Sequence, residues 1–121
     1  MNDFDDSEYD LMISELSKAI LQDPNNPETY NARGKWKANK GELRTSVEIS
    51  EIIGDFSSAI GLDPTNGEYF INRAIAWEIQ GDRERSLVDI KAGIALGETY
   101  GPILVEPTAP YFTDYANPTA P

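Results

Sequence analysis

The chain has 121 residues, 40% of them hydrophobic, and carries 10 Lys and Arg against 21 Asp and Glu, a formal net charge of −11. That is enough chain for one elongated core, and the acidic balance repels nucleic-acid phosphate at long range. With no Cys and no His it has no disulfide framework, no thiol chemistry, no Cys-based zinc site and neither the commonest general base nor the commonest metal ligand. No apolar run reaches the length of a membrane span, and the start Met1-Asn2-Asp3-Phe4-Asp5-Asp6 has the wrong charge for a signal peptide, so a cytoplasmic location is expected.

In chain order, Tyr9, Met12, Ile13, Leu16, Ala19 and Ile20 recur at three- and four-residue steps and predict a helix over 7–22. The turn Asp23-Pro24-Asn25-Asn26 ends it. Asn26, Pro27 and Glu28 then supply a capping side chain, a proline at the first helical position and a carboxylate at the positive helix end, which predict a helix over 28–40. A turn at Lys40-Gly41 leads to Leu43, Val47, Ile52 and Phe56 at helical spacing, and a third helix is expected over 42–62. A second turn of the same kind, Asp63-Pro64-Thr65-Asn66, precedes a helix over 67–80, and Gly81-Asp82 separates it from a last helix over 82–96.

The two Asp-Pro turns lie 40 residues apart and follow the same apolar phrase, Leu16, Ala19 and Ile20 before the first and Phe56, Ala59 and Ile60 before the second. They mark an internal repeat. A further step of 34 residues from Pro64 reaches Glu98, just past Ile90, Gly93, Ile94 and Leu96. From Phe70 the chain reads Phe70, Ala74, Trp77, Gly81-Asp82, Ser86, Leu87, Ile90, Gly93 and Ile94. This succession of aromatic, small, aromatic, turn glycine, small, large apolar and small residues resembles the tetratricopeptide repeat, whose period is about 34. Arg73 stands where that family usually has Leu, Gly93 where it has Ala and Glu98 where it has Pro. The preceding repeat, Pro27 to Asp63, carries six extra residues between Gly41 and Phe56. They either lengthen its second helix by about 9 Å or form a longer loop.

The resemblance implies an all-α fold: a short tetratricopeptide-like solenoid of about five antiparallel helices over 1–100, two and a half repeats, followed by an extended tail over 101–121. Tyr30, Phe56, Phe70 and Trp77 are expected in its core. The tail holds five of the eight prolines, two copies of Pro-Thr-Ala-Pro, and Ile103, Leu104, Tyr111 and Phe112. It cannot continue a helix, and as a strap it could cover the exposed end of the array, lie in the groove or cross to a second copy.

Arrays of this family generally bind through the concave surface lined by their first helices. By that resemblance the groove presents Glu28, Asn31 and Lys35 from one helix and Glu68, Ile71, Asn72, Ile75 and Glu78 from another, with Ile71 and Ile75 as an apolar floor among carboxylates. Trp36 falls one place before the position matching Trp77. It is expected either to fill space between adjacent first helices or to serve as a partly exposed anchor, and packing is preferred. Arg33, Lys35, Lys37, Lys40 and Arg44 against the acidic N-terminus read as solvated faces that can attract one another.

The expected function is a non-catalytic adaptor or scaffold without metal or cofactor, holding a basic and apolar segment of another protein. Neither nucleic acid nor membrane is expected as a partner. An acidic immunity or antitoxin protein that occludes a basic toxin, and a structural protein that self-assembles through its tail, are the alternatives.

Overall fold

The computed structural model describes residues 5–40 and 45–99. Across these residues the chain is all-α: α1 Asp6–Gln22, α2 Pro27–Lys40, α3 Ser46–Leu62, α4 Gly67–Gln80 and α5 Arg83–Ala95. The expected turn at Lys40-Gly41 and the tail over 101–121 fall outside the described residues.

Local chemistry starts each helix. Asp5 and Thr45 are extended N-caps whose side chains accept from the N–H of Glu8 and Glu48, and each glutamate reaches back to the cap N–H. These are two complete capping boxes. In both Asp-Pro turns the Asp side chain accepts from the N–H two residues on, Asn25 at 3.2 Å and Thr65 at 3.1 Å. Asn26 and Asn66 then accept from the N–H of Glu28 and Glu68, both at 3.0 Å. Asp82 caps α5 through the Arg85 N–H at 3.0 Å, after Gly81 has closed α4 at φ 95°, a left-handed backbone that suits glycine.

The 40-residue register extends over both helices of the unit. α1 and α3 each have 17 residues and α2 and α4 each have 14, so the repeated unit is a long helix, an Asp-Pro turn and a shorter helix. α5, with 13 residues, starts a third unit. The six extra residues divide. Ser46 lies nine residues before Asp55, whereas Arg83 lies six before Asp89, so three extend α3 by about 4.5 Å and three lengthen its approach. The start expected at residue 42 therefore moves to Ser46, because Thr45 and Glu48 supply the capping box.

Each helix packs against the next, and α2 also meets α4. Ala38, Ile49, Ile52, Ile53, Phe56 and Ala76 form the central cluster, with Trp77 and Ile79 against it. Phe56 is fully buried and lies over Gly34, where a Cβ would come within 2.7 Å of its ring. Of the four aromatic residues expected in the core, Phe56 alone is fully enclosed. Tyr30, Phe70 and Trp77 are half-buried, and Tyr69 takes an interior place instead. The reason is polar in two cases: Tyr30 sends its hydroxyl to the Pro24 carbonyl at 3.1 Å, and Trp77 sends its indole N–H to Asp89 at 3.0 Å.

Candidate functional site

Two matching ion clusters hold the helices that flank the α2–α4 seam. On α2, Arg33 gives Nε and Nη2 to the two carboxylate oxygens of Asp55 on α3, at 3.0 and 2.7 Å, and Nη1 to Ser17 on α1 at 3.0 Å. On α4, Arg73 gives Nε and Nη2 to Asp89 on α5, at 2.7 and 2.9 Å, and Nη1 to Ser57 on α3 at 3.1 Å. One planar guanidinium thus ties the shorter helix of a unit to the long helices before and after it, with the bidentate geometry that only arginine provides. The hydrogen bond to Asp55 raises the Arg33 pKa above its ordinary value. The apparent departure at Arg73 is a repeated device, and its signal was in the sequence: Ser17 and Ser57, like Arg33 and Arg73, stand 40 apart, and Asp55 and Asp89 stand 34 apart.

Across the seam, three polar contacts join α2 to the start and middle of α4. Tyr69 donates its hydroxyl to Glu28 at 2.6 Å, Asn72 donates to Asn31 at 2.9 Å, and Lys35 pairs with Glu68 at 3.2 Å. Asn31 and Asn72 are buried, so their mutual bond satisfies amides that would otherwise be costly to enclose. Burial raises the Tyr69 pKa, and the bond to Glu28 raises it further. Glu28 is exposed, while Lys35 and Glu68 are each about one-third open, with side-chain exposures of 39% and 35%. The seam therefore presents two carboxylates and one ammonium to solvent over a buried amide pair.

The expected groove is corrected in four places. Ile71 and Ile75 are 0% and 1% exposed and form no open floor, because α4 lies between α3 and α5 and its apolar positions are used on both sides. Ile71 fills the space at Gly93, where a Cβ would come within 2.7 Å of its Cδ1; this accounts for glycine at the position the family gives to alanine. Asn31 and Asn72 are consumed by one another. Glu78 turns to Arg83 at 3.1 Å, at the far end of α4. Trp36 is half-buried and meets the Tyr9 ring on α1 edge-on, at 5.4 Å between centroids and 71° between planes, so it packs on a long helix and not between two first helices.

The basic cluster is likewise engaged within the fold. Lys40 bonds Asp10 at 2.6 Å, which raises the Lys40 pKa, and Lys37 lies 3.7 Å from Asp55 and 3.8 Å from Glu51. Among the described residues no group of His, Cys, Asp and Glu is placed to hold a metal ion, and no helix is long and apolar enough to cross a membrane. The sequence matches no protein-family model and no curated protein.

Proposed function

We propose that the chain is a non-catalytic protein-interaction module, a short solenoid of tetratricopeptide type that receives a basic segment of another protein at the α2–α4 seam. The observation that carries this reading is the seam itself. Glu28 and Glu68 reach solvent from neighbouring helices, each positioned by a partner behind it, Tyr69 and Lys35 respectively. Carboxylates held this way meet a Lys or Arg side chain with little further ordering, and the net charge of −11 steers a basic partner toward them.

The periodic architecture agrees with such a role, because stacked helical units present extended faces built from repeated positions. The partner's apolar groups would contact the rim of the seam, since Ile71 and Ile75 are enclosed. Affinity purification of the tagged full chain, with mass spectrometry, identifies the partner; titration with that protein then tests the seam. Glu28→Lys should weaken capture, while exchanging the pair as Lys35→Glu with Glu68→Lys keeps the internal bridge and moves the charge. Unchanged binding in both variants would rule out the seam.

A further inference from the structure

α3 and α5 share one register at a spacing of 34 residues, yet one row of positions differs sharply in burial. Asp55, Phe56 and Ala59 are buried, and so are their counterparts Asp89, Ile90 and Gly93. Ile53 is 8% exposed, but its counterpart Leu87 is 36% exposed; Ile60 is half-buried, but its counterpart Ile94 is 45% exposed. The cause is placement: α3 packs against both α2 and α4, whereas α5 meets α4 alone. Leu87 and Ile94, two helical turns apart with Val88 beside them, thus repeat an apolar row that α3 covers with its following helix.

We infer that residues 100–104 of this same chain fold back along α5 and cover Leu87, Val88 and Ile94 as an extended strap. The chain is already turned at the required place. Gly97 has φ 100°, and the Gly97 and Glu98 N–H groups return to the Ile94 and Gly93 carbonyls at 2.9 and 3.0 Å, a left-handed reversal that ends the helix. Residues 96–98 are held against the start of α4, since a Cβ on Gly67 would meet Glu98 Cγ at 2.7 Å and Leu96 Cβ at 3.2 Å.

Length and charge fit as well. From Leu87 to Ile94 is about 10 Å along a helix, which about three extended residues span; that is the interval from Tyr100 to Ile103. Tyr100 then lies by Ile94, with Ile103 and Leu104 by Leu87. Five prolines after residue 101 preclude a sixth helix. Lys91 stands in the middle of the row, and the segment beyond Thr99 carries Glu106 and Asp114 with no Lys or Arg. A second copy is the weaker occupant, because it brings a further charge of −11 and lacks the high effective concentration of a tethered segment.

The absence of cysteine makes spin labelling direct. The full chain with Glu84→Cys and Val105→Cys, labelled at both, should give one narrow distance distribution by pulsed dipolar spectroscopy. Leu87→Asp with Ile94→Asp should broaden it while the helical dichroism stays, both residues being exposed; should that pair lower the dichroism, Ile103→Ser with Leu104→Ser must give the same broadening. A broad distribution in the labelled parent overturns the inference. So does a dipolar signal between singly labelled copies, which would assign the face to self-association, and so does a narrow distribution that both pairs of substitutions leave unchanged.

Discussion

Arg73 grips both carboxylate oxygens of Asp89, Nε at 2.7 Å and Nη2 at 2.9 Å, and the Asp89 side chain is only 4% exposed. Removing the arginine leaves an enclosed carboxylate without its counter-charge. Arg73→Leu alone should therefore cost about 3–5 kcal/mol. Replacing both members, Arg73→Leu with Asp89→Leu, should recover much of that loss, because the penalty comes from the unpaired charge more than from the missing bond. Urea unfolding of the two single variants and the double variant forms the cycle that measures it; simple additivity would show the two residues to be energetically separate.

The helices and turns were legible because they rest on local signals: three- and four-residue apolar steps, Asp-Pro turns and asparagine caps. The start of α3 was misread because Leu43 and Val47 continue the helical spacing, and the Thr45–Glu48 capping box outranks them; Val47 proves to be exposed. The seam was half legible. Repeat alignment put Glu28, Asn31, Lys35, Glu68 and Asn72 on neighbouring helices, and they do meet. It could not show that Asn31 pairs with a residue 41 positions on, one step out of the 40-residue register, nor that Gly93 opens a space for Ile71. Both are consequences of how close the helices come, which spacing along the chain does not encode.

Glycines separate close packing from spare room. A methyl group at Gly34 would press into the Phe56 ring, whereas at Gly54 and Gly61 it would meet nothing within 4 Å. Gly34→Ala should destabilise by about 1–3 kcal/mol through overpacking. Gly54→Ala, in the interior of α3 with ordinary helical backbone, should stabilise by about 0.5–1 kcal/mol by restricting the unfolded chain. Thermal melts of the two variants should move in opposite directions, and movement in the same direction would contradict the packing around Gly34.

Acid and alkali should act on different caps and contacts. The Glu8 backbone N–H holds the Asp5 pKa below its ordinary value, and the Thr65 hydroxyl does the same for Asp63. Both groups bind protons more weakly in the folded state, so their contribution is complete above the unfolded value near 4 and is lost as pH falls through the folded values. Tyr69 has the opposite sign. Its folded pKa is raised by burial and by Glu28, so its contribution is complete below the unfolded value of about 10 and falls as pH rises toward the folded one. With no histidine in the chain, stability should be nearly flat between about pH 5 and 8. Asp63→Asn should shallow the acid limb of a stability–pH curve, and Tyr69→Phe should shallow the alkaline limb.

Binding at the seam should divide into rate and fold effects. Glu28 and Glu68 are open to solvent and carry charge, so reversing them acts mainly on diffusional capture: Glu28→Lys with Glu68→Lys should lower the association rate by about tenfold at low salt and flatten its salt dependence. Ile75 belongs to the interior at 1% exposure, so Ile75→Asp would bury a charge and abolish the cooperative unfolding transition before any complex could be compared. Stopped-flow association at two ionic strengths, beside a melting curve for each variant, separates the two. Should Ile75→Asp fold normally and shorten only the lifetime of the complex, the isoleucine would have to face the partner, and the enclosed position of α4 between α3 and α5 would be wrong.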